Sequence, residues 1–452
     1  MTELEGWLRQ GVAAVEGWQE RFGGYEPHPA QHLDPDTVAA AFAEFTERLG
    51  DNYPYFHPSY VGQMLKPPHP IAVAGYLTAM LINPNNHAQD SGPATARMER
   101  EVIAALAGMF GLPTHLGHLT SSGTIANLEA LYIARESHPG RAVAFSAESH
   151  YTHGRMCGVL GVEGVTVAVD GLGRMDLDDL ERVLATGRVG TVVVTAGTTG
   201  LGAIDPIAEA RELTRRHGVR LHVDAAYGGF FSLLAQEGSP EAIDPAPWRA
   251  IGDCDSVVID PHKHGLQPYG CGAVIFADPE VARFYLHDSP YTYFTDADFH
   301  LGEISLECSR AGAAAAAFWL TLRVLPLTPD GLGRFLVASR RAALAWAAAI
   351  EESANLALYQ RPELDIVTYF PKVGSLAEID AATARLMTDG MHAEQDPVFV
   401  SALRIDAAQF ARRHPDVRAD TDAARVLRSV LIKPEAQTHL EALHRIESLV
   451  PR

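Results

Sequence analysis

Several short segments carry residue types that could act together. Asp260-Pro261-His262-Lys263-His264-Gly265 places an amine just beyond a hydrophobic run. A lysine at a sheet's ligand-binding edge is a candidate Schiff-base former, because burial can lower its amine pKa. Leu221-His222-Val223-Asp224 ends on a carboxylate. At the end of a buried strand that carboxylate needs a cationic or donor partner, and a protonated pyridine nitrogen would be one. Thr120-Ser121-Ser122-Gly123-Thr124 precedes a helical run from Ala126 to Ala134. Hydroxyl groups and backbone N–H groups at a helix start suit a phosphate. His150, in Ser149-His150-Tyr151, could stack on a flat heteroaromatic ring. Each segment also has an ordinary explanation: a solvated lysine, a carboxylate at a helix end, a helix cap, a hydrogen-bonded histidine.

Other motifs carry less. Gly197-Thr198-Thr199-Gly200-Leu201-Gly202 is spaced GxxGxG rather than the GxGxxG of a dinucleotide loop. His115 and His118 form an HxxH with no HExxH or carboxylate frame, so no metal is expected. The four cysteines, Cys157, Cys254, Cys271 and Cys308, contain no CxxC pair and read as reduced thiols.

The elements that must position these residues follow from an alternation. Short β-rich runs at Ala142–Ser146, Val165–Val169, Thr191–Ala196, Val219–Asp224, Ser256–Ile259 and Ala273–Phe276 are separated by helical stretches. The pattern predicts an α/β fold: a mostly parallel central sheet with helices on both faces, its ligand at the carboxyl ends of the strands. Residues 1–50 read as two helices rich in large apolar side chains, a surface suited to a second subunit. Expected boundaries are an N-terminal helical arm at 1–66, a large domain at 67–327 and a small C-terminal α+β domain at 328–452. The last should hold a helix at about 332–352, strands near 364–370 and 398–405, and a final helix from about 434.

Composition narrows the function classes. The chain has 452 residues, 47% hydrophobic and 20% charged, enough for a large core. A net charge of −20 argues against nonspecific nucleic-acid binding. No apolar run approaches the roughly 18 residues of a membrane span. The first residues show no basic-then-apolar leader, so the expected location is cytoplasmic.

In combination and in this order, the motifs resemble the group II pyridoxal-phosphate-dependent amino-acid decarboxylases of the fold-type I (aspartate aminotransferase-like) superfamily. The resemblance runs from His57-Pro58, with Gln63 following, through Thr120–Asn127, Ser149-His150-Tyr151 and Gly197–Pro206. It continues through His222–Gly229, Asp255–Lys263 and Glu307-Cys308-Ser309-Arg310. The resemblance implies that Lys263 holds pyridoxal 5'-phosphate as a Schiff base and that an L-amino acid loses CO2 through a quinonoid intermediate. Asp224 would keep the pyridine nitrogen protonated, His150 would stack on the ring and Ala226 would pack on its other face. Ser122, Gly123 and Thr124 would bind the phosphate, Thr199 would sit near the ring oxygen, and His262 near the phosphate and reacting carbon. The family's proton donor would be Tyr291 or Tyr293, on a loop from the partner subunit of a homodimer. Gln63 and Tyr60 would face the substrate. The substrate pocket would draw on 55–66, 83–87 and 288–296, where Lys66 and His87 suit an acidic substrate and Phe56 and Tyr60 an aromatic one. A carbon–carbon lyase or an aminotransferase would share the fold; Arg404 matches an aminotransferase's carboxylate-binding arginine by position, but related decarboxylases also carry an arginine in a comparable strand, so it does not decide between them.

Overall fold

The computed structural model describes residues 2–286 and 300–450. Its central sheet has seven strands: β1 (Leu116–Thr120), β2 (Ala142–Ser146), β3 (Gly164–Val167), β4 (Val189–Thr195), β5 (Arg220–Asp224), β6 (Ser256–Ile259) and β7 (Gly272–Phe276). Their order across the sheet is β1-β7-β6-β5-β4-β2-β3. β2 to β6 pair in parallel, whereas β7 runs antiparallel to both β6 and β1. The sheet is therefore mixed, with one reversed strand in a mostly parallel set. β4 is buried at every position, which is why its sequence Val-Gly-Thr-Val-Val-Val-Thr is continuous rather than alternating.

The helices begin where local chemistry caps them. Helix α1 (Glu3–Gln19) starts at Thr2, whose hydroxyl accepts the Glu5 N–H. Helix α2 (Pro35–Leu49) starts at Asp34, with Pro35 in the first turn. Neither helix is self-sufficient. Val15 is the one buried residue of α1 and α2 has none. Helices α3 (Pro70–Met80) and α4 (Pro93–Phe110) then lead to β1, and α5 (Gly123–Ser137) crosses from β1 to β2.

A second, four-stranded antiparallel sheet comprises β8 (Leu356–Gln360), β9 (Ile366–Pro371), β10 (Ser401–Asp406) and β11 (Ala423–Val430), in the order β10-β11-β9-β8. The expected strands near 364–370 and 398–405 correspond to β9 and β10, and the expected helix at 332–352 to Gly333–Glu352. β1, β8, β11 and the helix Leu376–Met391 were not anticipated. The expected final helix from 434 is a 3-10 turn, Pro434–Thr438, followed by a separate helix, Glu441–Ser448. Among the described residues, no helix is long and apolar enough to cross a membrane.

Candidate active site

One cavity of about 220 Å³ opens at the carboxyl ends of the central strands. It gathers every residue singled out for cofactor binding: Ser122, Gly123, Thr124, His150, Thr199, Asp224, Ala226, His262 and Lys263. Each reaches it from the carboxyl end of a strand or from the segment that follows. β1 delivers Ser122 to Thr124, β2 His150, β4 Thr199, β5 Asp224 and Ala226, and β6 His262 and Lys263.

The α5 end of the cavity is built for an anion. Ser122 caps α5, its hydroxyl accepting the Ile125 N–H. The Gly123 and Thr124 N–H groups precede any helical carbonyl that could accept them. Gly123 is required here, because a Cβ would lie 2.6 Å from both carboxylate oxygens of Asp260. Asn127 anchors the turn, donating to the Gly123 carbonyl at 2.9 Å. Its own side-chain oxygen accepts from His222 Nε2 at 2.9 Å. That leaves His222 Nδ1 to accept the Ser256 hydroxyl at 2.9 Å. Burial pushes His222 down to about 3, so it stays neutral and keeps this tautomer.

Asp224 ends β5 with its carboxylate held as an anion. His153 Nε2 donates to Oδ2 at 2.9 Å and the Ala226 N–H to Oδ1 at 3.1 Å. Burial alone would raise its pKa, but the His153 hydrogen bond and charge, with the Ala226 N–H, hold it well below the usual carboxylate range. His150 Nδ1 accepts from the Thr152 hydroxyl at 2.6 Å and the Thr152 N–H at 3.2 Å, fixing its ring. His262 Nδ1 donates to the Cys271 carbonyl at 2.8 Å. Burial lowers the pKa of both rings.

Lys263 departs from expectation. Burial does pull its amine pKa down, but Asp260, 3.0 Å from Nζ, together with Asp224 and Tyr269, more than offsets this and the net shift is upward. The lysine is therefore an ion-paired ammonium, not a desolvated neutral amine. Asp260 is itself buried, and its Oδ1 has no hydrogen-bond partner.

These residues fit pyridoxal 5'-phosphate. A helix N-terminus suits the phosphate, a buried anionic carboxylate suits a protonated ring nitrogen, and a lysine lies within the same cavity. Residues 52–370 match the family model described as the pyridoxal-dependent decarboxylase conserved domain. That span covers most of the chain. The chain belongs to the pyridoxal-dependent decarboxylase family. It is an amino-acid decarboxylase, and pyridoxal 5'-phosphate is its cofactor.

Curated relatives of the chain are decarboxylases named for different amino acids. The decarboxylase is 28% identical to the L-tyrosine decarboxylase of Enterococcus faecium, over 81% of this chain and 79% of that one. It is 30% identical to the L-2,4-diaminobutyrate decarboxylase of Rhizobium meliloti, over 74% and 69%. In fold it is similar to mouse CSAD, with TM-score 0.78 at 22% identity over 95% of this chain and 91% of that one. It is equally similar to Oryza sativa TDC, solved with PLP and tryptamine, with TM-score 0.78 at 16% identity over 99% and 97%.

Other sequence-chosen residues of the decarboxylase lie elsewhere. Gln63 is exposed and Tyr60 is buried, and neither lines the cavity. Tyr60 packs with Tyr53, Tyr55 and Phe399, and the Lys433 ammonium stands 5.3 Å from its ring centre. Lys66 donates to the Ile432 carbonyl, Phe56 is exposed, and His87 is absent from the lining. Arg404 is exposed and bonds Asp406 at 2.6 Å, away from the cavity. Tyr291 and Tyr293 lie outside the described residues. Sequence reasoning gave no role to Asn127, His153 or Asp260. Asn127 and Asp260 were in plain view inside the motifs. His153 meets Asp224 across 71 residues, a long-range contact that no local spacing encodes.

Proposed function

We propose that Lys263 is the cofactor's attachment point and that the cavity around it performs the decarboxylation. The observation that carries this reading is the convergence of the Lys263 amine, the anionic Asp224 and the α5 N-terminus in one cavity. Bound pyridoxal phosphate supplies an electron sink for the pair left by a departing carboxylate. Gly123, Thr124 and the Ser122 hydroxyl hold the phosphate. Asp224, kept ionised by His153, holds the proton on the ring nitrogen. His150 and Ala226 bound the ring's faces, and Thr199 and His262 border the reacting end. The proton that replaces CO2 at Cα comes from Tyr291 or Tyr293.

We also propose a cytoplasmic homodimer with the site at the subunit interface. Support comes from the apolar surface of the N-terminal helices, where Phe22, Phe42 and Phe45 are 75%, 64% and 54% exposed. All four cysteines are unpaired, as in a reducing compartment.

The test is incubation of the purified protein and cofactor with pooled amino acids, read by mass spectrometry. The reading predicts one or more amines lighter than their amino acids by CO2, and none from Lys263→Ala. It predicts that Tyr291→Phe or Tyr293→Phe slows amine formation by about 100-fold or more. Full amine production by Lys263→Ala would refute the assignment.

A further inference from the structure

Two of the site's turns are tied to the second sheet through one buried carboxylate. Asp365 stands immediately before β9 and has no exposed surface. Its Oδ1 accepts the Tyr227 hydroxyl at 2.6 Å. Its Oδ2 lies 3.3 Å from Nε2 of His264, a close polar contact rather than an aligned hydrogen bond. Both partners adjoin residues of the site. Tyr227 follows Ala226, and its side chain belongs to a residue that itself lines the cavity. His264 follows Lys263. The two rings also pack edge to face, with centroids 4.9 Å apart, and Phe231 packs edge-on against the same imidazole at 5.0 Å.

The carboxylate is compensated from other parts of the chain. Lys66 and Arg428 place positive charge in its field. Arg428, on β11, donates to the Thr199 carbonyl at 2.7 Å and the Gly200 carbonyl at 3.1 Å. A third cavity-lining turn is thereby fastened to the same sheet. A carboxylate buried this deeply is costly unless its partners are in place. Displacing either turn would therefore strip the anion of a partner, which makes the spacing of the two turns stiff.

We propose that Asp365 is a positioning residue for the decarboxylase: by holding Tyr227 and His264 together it fixes the Ala226 turn relative to Lys263. The inference rests on the reading of Lys263 as the attachment point. Asp365 does not line the cavity, so its effect is on placement. A displacement of about 1 Å at a reacting centre costs on the order of 100-fold in rate.

The experiment compares Asp365→Asn, Tyr227→Phe and their double variant as cofactor-loaded enzymes. Asp365→Asn keeps the shape and removes the charge facing His264. Tyr227→Phe removes one hydroxyl. Both should bind cofactor, lose at least about tenfold in kcat with KM moved less than about twofold, and show an altered visible circular dichroism of the bound cofactor. The double variant should be no slower than the slower single one, since both cut the same contact. Tyr369→Phe is the control. Its hydroxyl is equally buried on β9, bonds Ser429 Oγ at 3.0 Å and lies away from the cavity. It should melt lower with unchanged kcat and spectrum. If Asp365→Asn and Tyr227→Phe also melt lower with wild-type kcat, KM and dichroism, the proposal is overturned. Should Asp365→Asn fail to fold, Tyr227→Phe decides alone, a loss of kcat supporting the proposal and a wild-type kcat overturning it. Retention of the lysine-linked absorption band by Lys263→Ala would instead defeat the attachment reading, independently of Asp365.

Discussion

The Lys263–Asp260 pair makes a prediction that needs no turnover. Asp260 is 3% exposed, and its Oδ2 lies 3.0 Å from Lys263 Nζ and 3.6 Å from His262 Nε2. At 3.0 Å and an effective dielectric constant of about 20, the gross attraction is about 5 kcal/mol. Lys263 keeps 20% of its side chain exposed, so solvent reduces the net effect. Replacing Lys263 by Met leaves Asp260 buried beside a neutral chain, and about 3 kcal/mol of stability should be lost. Adding Asp260→Asn removes the stranded charge. The double variant should then be more stable than the sum of the single losses by about 2 kcal/mol. The sign of the pH dependence follows from the upward shift of the lysine. Its contribution is full below the lysine's unfolded value and is lost as pH rises through the folded one, so neutral pH shows the whole effect. The assay is urea unfolding of cofactor-free protein at fixed concentration. Additivity of the two substitutions within about 0.5 kcal/mol would refute the pairing.

Two further predictions concern the turn at the α5 end of the cavity and its support. His222, lowered from 6.5 to about 3, must stay neutral to fold, so its contribution is present above its unfolded value and lost as pH falls; between pH 7.5 and 5 the loss should be about 2 kcal/mol, a slope that His222→Gln abolishes in urea titrations at both pH values. Gly123→Ala drives a methyl to 2.6 Å from the Asp260 oxygens, so it should cost about 1–3 kcal/mol and weaken cofactor binding, as read by calorimetric titration of the cofactor-free protein.

What was legible in the sequence was local. Lys263, Asp224 and the Ser122–Thr124 turn each follow a short apolar run that became β6, β5 or, less visibly, β1. An α/β sheet presents such positions at one edge, so residue type and strand end together sufficed. β1 itself was hidden because Gly117 and the buried His118 interrupt its apolar pattern; His118 pairs with Glu129, 2.9 Å away on α5. β11 was hidden for a similar reason. Arg428 and Ser429 are buried within it, bonded to distant carbonyls and to Tyr369. The helix Leu376–Met391 was legible and overlooked: Ser375 caps it, and Leu376, Ile379, Thr383 and Leu386 recur on its buried face.

Long-range contacts were beyond reach. Asp365 meets Tyr227 across 138 residues, and no local pattern encodes that pairing. The ionisation of Lys263 was misjudged for the same reason, since burial was anticipated and its partner was not. Burial does lower Lys66 and Lys433, each to about 8, yet neither lines the cavity. An amine's basicity alone would therefore have nominated the wrong lysines, and geometry decides.

That contrast also gives the most direct test. The chain has only four lysines: Lys66, Lys263, Lys372 and Lys433. The cofactor-loaded enzyme would be reduced with borohydride, digested and mapped by mass spectrometry. The account predicts the reduced cofactor on Lys263 and on no other residue. Stoichiometric modification of Lys66, Lys372 or Lys433 with Lys263 unmodified would contradict it.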